Sequence, residues 1–233
     1  MKVWTTLLGT DNYLEAVLTL EDSRKRVQSK YPLIVICFDD LDYITYETLE
    51  QANIAYQIFP RELFLGEKRS KDYSVTIGKF YAYNLSGVSR FCFIDADSFF
   101  VENIDYLLDI PLPVFFILDP SFRDGYVEDV NCLTGCIFAD QVSQDKFDYA
   151  FSQKEQCRED EQLLPFLATK NGPCVKICYR DWTLRHQMLL YHESAWSFEH
   201  KFWNQPNFNR STYLDNILYF FKHDWTYKDS IPE

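Results

Sequence analysis

The stretch Arg90-Phe91-Cys92-Phe93-Ile94-Asp95-Ala96-Asp97-Ser98-Phe99-Phe100 restricts the folds open to this chain more than any other. A short run of apolar and aromatic residues ends abruptly in two carboxylates. Such a run reads as a buried strand that delivers Asp95 and Asp97 to the edge of a sheet. In an open α/β sheet, ligands sit outside the carboxyl ends of the strands. Residues i and i+2 of a strand share a side, so the two carboxylates are expected to face one ligand. A pair placed this way can share a hard divalent cation, and that cation can hold a diphosphate. Ala96 between them is small enough to let a ligand approach the backbone. A second Asp-x-Asp, Asp40-Leu41-Asp42, also follows an apolar run, Leu33 to Phe38. With Asp39 beside it, that copy reads as a solvated turn and a helix start, so the bare motif does not choose between the two places.

The remaining chain supplies a rhythm. Lys2 to Leu8 is β-prone and is punctuated by Gly9-Thr10-Asp11-Asn12. Leu14, Val17, Leu18 and Val27 then recur at helical spacing. Leu33 to Phe38 reads as a strand, Thr45 to Gln51 as a short helix and Ala55 to Phe59 as another strand. Arg61 to Tyr73 is a charged loop, Val75 to Leu85 a helix, and Arg90 to Ile94 the strand that ends in the acidic pair. Strands alternating with helices predict βαβ units and a mainly parallel sheet. The fold class is therefore α/β, with a Rossmann-like half over residues 1–110. Beyond Asp97 the pattern changes. Asn103 to Leu108 suggests a helical turn, and Val114 to Leu118 and Leu133 to Phe138 read as strands around the polar loop Asp119 to Asn131. Asp145 to Phe151 and Asp160 to Thr169 look helical. Cys174 to Ile177 and Met188 to Tyr191 are short strands, and Thr212 to Phe221 forms a terminal helix. Residues 111–233 thus make a mixed second half of the same single domain.

Composition narrows the function. A chain of 233 residues, 47% hydrophobic and 18% aromatic, can bury a large core. The formal net charge of −12 argues against general nucleic-acid binding, which needs a basic footprint. A phosphate-bearing ligand stays open, provided a metal or a few lysines supply positive charge. The seven cysteines include no CxxC pair. Cys92, Cys132, Cys136, Cys174 and Cys178 lie in or beside apolar runs and read as buried free thiols, which suits a reducing compartment. A zinc cluster of Cys132/Cys136 with Cys174/Cys178 is the competing reading. Asp11 interrupts the first apolar stretch too early for a secretory h-region, and no apolar run reaches the length of a membrane span. The expectation is a cytoplasmic protein.

Four further features join the acidic pair. In a doubly wound sheet the first strand-to-helix turn commonly holds a nucleotide. Tyr13 is suited to stack on a base and Thr10 to bond its edge; an ordinary helix cap by Thr10 or Asp11 is the plainer alternative. Lys79 lies in a crowded aromatic helix, Thr76-Ile77-Gly78-Lys79-Phe80-Tyr81, where it either serves a site or snorkels to solvent. Glu161-Gln162 opens a helix whose dipole favours acidic residues by itself. His192 closes the apolar run Met188 to Tyr191; it either completes an Asp/Asp/His metal site or is a core histidine.

With these residues in view, the chain resembles the glycogenin and galactinol synthase family of retaining glycosyltransferases (family 8 type). Val75-Thr76-Ile77-Gly78-Lys79-Phe80, Phe91-Cys92-Phe93-Ile94-Asp95-Ala96-Asp97 and Asn103-Ile104-Asp105 keep the family's order and spacing. Thr6 to Tyr13 fits its start, Leu133-Thr134-Gly135 its Asn-x-Gly turn, Glu161-Gln162 its Asp-Gln, and His192 with Lys201-Phe202-Trp203 its closing segment. The resemblance implies a GT-A-type fold and transfer of a hexose from a nucleotide-diphosphate sugar, a UDP-sugar, to a hydroxyl of a saccharide, protein or polyol. It implies Mn²⁺ (or Mg²⁺) held by Asp95, Asp97 and His192. It puts Leu7, Gly9, Thr10 and Tyr13 on the base and ribose, Lys79 on the phosphate or sugar side, Ala96 and Thr134 on the donor and Lys201 on the leaving diphosphate. Glu161 and Gln162 fall at the sugar face. Leu133, Glu161 and Ala195 replace the family's Asn, Asp and Gly, on sugar-recognition and lid positions. A nucleotide-sugar-binding module without turnover and a metal-dependent phosphohydrolase are the rival readings.

Overall fold

The computed structural model describes residues 1–61, 75–117, 133–153, 163–165, 167–168, 172–178, 190–192 and 202–223. Its centre is a seven-stranded sheet in the order β3-β2-β1-β4-β7-β6-β8. Strands β1 (Lys2–Leu8), β2 (Leu33–Phe38), β3 (Ala55–Phe59) and β4 (Arg90–Ile94) run parallel. Strand β7 (Leu133–Gln141) pairs antiparallel with β4 and with β6 (Val114–Ile117), and β8 (Val175–Cys178) returns parallel to β6. The mainly parallel first half and mixed second half follow the expected order.

The central strands hold this sheet because they are apolar on both faces, whereas the edge strand β3 buries only Phe59. Along β2, Ile34, Ile36 and Phe38 enter one core layer while Leu33, Val35 and Cys37 enter the other. Strand β4 splits the same way, Phe91 and Phe93 against Cys92 and Ile94. Period-2 patterning with both sides filled is what a sheet covered by helices on both faces needs. Helices α1 (Leu14–Arg26) and α2 (Tyr43–Gln51) cover one layer. The 3-10 helix Thr76–Asn84, within the helix expected over Val75 to Leu85, and α4 (Gln144–Gln153) cover the other. In that second layer the Asp140 carboxylate is fully buried and is satisfied by the Tyr83 hydroxyl at 2.9 Å and the Lys146 ammonium at 2.7 Å.

A second sheet was not expected. Strand β5 (Ser98–Phe100) pairs antiparallel with β9 (Leu190–His192). It begins one residue after Asp97, so the acidic segment joins two sheets. The following Asn103-Ile104-Asp105 is a structural brace leading into α3 (Tyr106–Asp109). The Asn103 amide donates to the carbonyls of Val27 and Gln28 at 3.2 and 3.3 Å. The Asp105 carboxylate accepts from the Ser29 hydroxyl and from the Lys30 N–H at 2.9 Å. These bonds tie β5 to the end of α1. The terminal helix α5 (Arg210–His223) docks on α1 through Arg210, which reaches Glu15 at 2.7 Å and Asp22 at 3.1 Å. Among the described residues, no helix is long and apolar enough to cross a membrane.

Candidate active site

The site is built at the carboxyl ends of β1 and β4. Strand pairing of β4 with β7 stops at Ile94 opposite Ile137, with one further bond from the Asp95 N–H to the Cys136 carbonyl at 2.9 Å. The chain then turns, and the Ser98 N–H closes that turn on the Asp95 carbonyl at 3.1 Å. Asp95 and Asp97 therefore stand on a turn between two sheets, not on one strand as the alternation argument required. Asp97 is 8% exposed and Ala96 6%, so this turn is walled in on most sides.

Lys79 is the cation of the site. Its side chain is 4% exposed, so it does not snorkel to solvent. The ammonium donates to Asp95 Oδ1 at 3.1 Å and to the Gly135 carbonyl at 2.9 Å, and lies 5.1 Å from the centre of the Phe93 ring. A buried charge persists only when paired and hydrogen-bonded in this way. The contacts clamp Asp95 against the start of β7. Thr134, in that same part of β7, is buried, and its hydroxyl accepts from the Cys136 N–H at 3.2 Å.

The turn after β1 forms the opposite wall. Gly9 is required there by close packing: a Cβ would lie 2.1 Å from Val75 Cγ1. Leu7 is half-buried, and Thr10 is extended and opens a 3-10 turn, Asp11–Tyr13, without capping it through its side chain. The cap reading fails for Asp11 as well, which does not cap the helix it precedes. Its carboxylate instead accepts from the Asp42 N–H at 3.0 Å and the Thr45 hydroxyl at 2.6 Å, tying this turn to the start of α2. Tyr13 has its hydroxyl pushed up to about 12, first by burial and then by the charges of Asp97 and Asp95. It therefore stays a protonated donor near both carboxylates. Its ring lies 5.1 Å from that of Trp203, whose indole N–H donates to the Asn12 carbonyl at 3.0 Å. Sequence reasoning saw Trp203 only as part of a matching segment; its contact with the first turn was legible only in three dimensions.

His192 ends β9 directly opposite Ser98, the residue after Asp97. Strand register thus brings its backbone alongside the acidic turn, across nearly a hundred residues of sequence. Glu161, Gln162 and Lys201 lie outside the described residues, as do Cys132 and the side chain of Cys178. Among the described residues, no group of three or more His, Cys, Asp or Glu side chains gathers as a metal site. Cys136 and Cys174 are free thiols, as are the buried Cys37 and Cys92. The second Asp-x-Asp sits apart: Asp42 begins α2, and Asp40 is bonded to Arg61 at 2.6 Å.

No family model matches the chain. Its structure is similar to the glycosyltransferase GlyE of Streptococcus pneumoniae TIGR4, with a TM-score of 0.56 at 12% identity, covering 93% of this chain and 63% of that one. It is also similar to the galactosyltransferase LgtC in complex with donor and acceptor sugar analogues, with a TM-score of 0.63 at 10% identity, covering 100% and 98% of the two chains. The chain has a glycosyltransferase fold. In sequence it resembles galactinol synthase 1 of Ajuga reptans, 30% identical over 121 residues, which is 51% of this chain and 36% of the relative. The chain thus spans little more than a third of that relative's length. The glycosyltransferase fold gives the acidic turn its context, since Asp95, Asp97, Lys79 and Tyr13 converge at the sheet edge where α/β proteins bind ligands.

Proposed function

We propose that the chain is a metal-dependent retaining glycosyltransferase that moves a hexose from a UDP-sugar to a hydroxyl acceptor. The observation that carries this reading is the convergence of the Asp95-Ala96-Asp97 turn with Tyr13 and Lys79, and with His192 brought opposite Ser98 by strand register. The likeness to the galactinol synthases supports it.

The donor set fits a divalent cation. Two carboxylates and one paired lysine leave a local net negative charge, and a histidine whose strand position lies opposite Ser98 would, as a ligand, favour manganese over a purely oxygen-liking ion. Asp95, Asp97 and His192 are the residues that would hold it. Bound there, the ion would supply Lewis-acid stabilisation of the leaving diphosphate. Lys79 holds Asp95 in position from the donor's phosphate or sugar side. Leu7, Gly9, Thr10 and Tyr13 receive the base and ribose, and Ala96 and Thr134 line the donor. Lys201 takes the leaving diphosphate, and Glu161 and Gln162 the sugar face. The acceptor is a saccharide, a protein or a polyol.

Calorimetry with UDP tests the reading. Tight binding is expected with Mn²⁺ present and weak binding in EDTA. Equal affinity in both overturns the metal bridge.

A further inference from the structure

We propose that Arg61 is a positioning residue for the nucleotide turn and that the second Asp-x-Asp segment anchors it; this rests on the nucleotide-sugar reading above. Arg61 follows β3 at the same sheet edge as Gly9 and Asp95. Its guanidinium lies 4.4 Å over the Phe38 ring. Nη2 donates to the Gly9 carbonyl at 2.6 Å, Nε donates to Asp40 Oδ2 at 2.6 Å, and the backbone N–H donates to Asp39 Oδ1 at 3.2 Å. One side chain thus joins the loops that follow β1, β2 and β3.

The planar fork explains the choice of residue. Arginine fixes two donors in one plane and stacks on an aromatic face, which lysine cannot reproduce. Asp40 is 53% exposed, so as a surface ion pair it adds little stability. Its value lies in orienting Nη2 towards Gly9. The same turn is gripped again two residues later, where Asp11 accepts from Asp42 N–H and Thr45. The segment Asp39 to Asp42 therefore holds both ends of Gly9-Thr10-Asp11, the stretch assigned to the base and ribose. Asp95, by contrast, is held by β7 and Lys79, whereas the bonds of Arg61 go to Gly9, Asp39 and Asp40. Loss of Arg61 should loosen nucleotide binding and leave cation binding alone.

The test uses Arg61→Met, which keeps the stem over Phe38, Arg61→Lys, which keeps the charge without the fork, Asp40→Asn, and the Arg61→Met/Asp40→Asn double variant. UDP binding is measured by calorimetry at saturating Mn²⁺, and Mn²⁺ binding by electron paramagnetic resonance without nucleotide. Both Arg61 variants are expected to weaken UDP binding about tenfold, the loss of one charge-assisted bond. Asp40→Asn should weaken it less, and the double variant should be no worse than Arg61→Met, because coupled residues act as one unit. Mn²⁺ affinity should match the parent protein throughout. Parent-like UDP affinity in Arg61→Met overturns the proposal alone. Equal loss of UDP and Mn²⁺ affinity also overturns it, by showing general damage to the site. A parent protein that binds no UDP with Mn²⁺ removes the nucleotide-sugar reading and this proposal together.

Discussion

Lys79 carries a full charge into a place where it is 3% exposed, and does so within 3.1 Å of a carboxylate assigned to a cation. With the proposed cation bound, two positive charges would compete for Asp95. Replacing the lysine with an apolar residue of similar length removes that competition and makes the local charge more negative by one. Lys79→Met is therefore expected to bind Mn²⁺ about tenfold more tightly in the absence of nucleotide, the order expected for one nearby charge in a partly solvated site. Donor turnover should fall at the same time, because Asp95 loses its tether to β7. Titration by electron paramagnetic resonance checks the first effect and a donor hydrolysis or transfer assay the second. Weaker Mn²⁺ binding in the variant would mean that Lys79 acts by shaping the turn and not by charge.

At the scale of elements, the bonds from Asn103 and Asp105 do the work of a clamp on the end of α1. Asp105→Ala strands the Lys30 N–H and leaves the Ser29 hydroxyl only its longer bond to the Tyr31 carbonyl at 3.4 Å. The expected cost is about 2 kcal/mol, the penalty for unpaired partly buried donors, read from chemical denaturation as a lower midpoint with an unchanged slope. Strands β1, β2 and β4 were legible because they are rich in apolar residues and bounded by turn residues, and the edge strand β3 because β-prone residues repeat between a helix and Pro60. Strand β5 was not, because Ser98-Phe99-Phe100 carries no boundary signal of its own and its partner lies ninety residues away. The same blindness put Asp95 and Asp97 on a strand: where a strand ends depends on where its neighbour stops pairing, and β7 stops at Ile137. Of the candidate site, the sequence made legible the residues that gather at this sheet edge, namely the acidic pair, Lys79 and Tyr13. The role of Arg61 was hidden because its partners, Gly9 and Asp40, sit 52 and 21 residues away in sequence.

For the whole molecule, a net charge of −12 would make the proposed metal the natural mediator of an anionic donor. Ligands that bind only the folded chain stabilise it by mass action, about 2.7 kcal/mol at a hundredfold excess over Kd. For a domain of this size that amounts to a rise in thermal midpoint of roughly 5 to 10 °C. Scanning fluorimetry should show this rise with UDP and Mn²⁺ together and a much smaller one with either alone. A full shift with UDP in EDTA would speak against the metal bridge.

The acidic turn has one more consequence. Asp95 is anchored to β7 through its own N–H, whereas Asp97 leads directly into β5 and the small sheet. The two carboxylates border different sheets that are already packed together: Phe100 of β5 meets Trp4 of β1 edge to face, and its N–H donates to Ser23 of α1 at 2.9 Å. A cation proposed between them would meet a turn held from both sides before it arrives, so its binding would need little ordering of the chain.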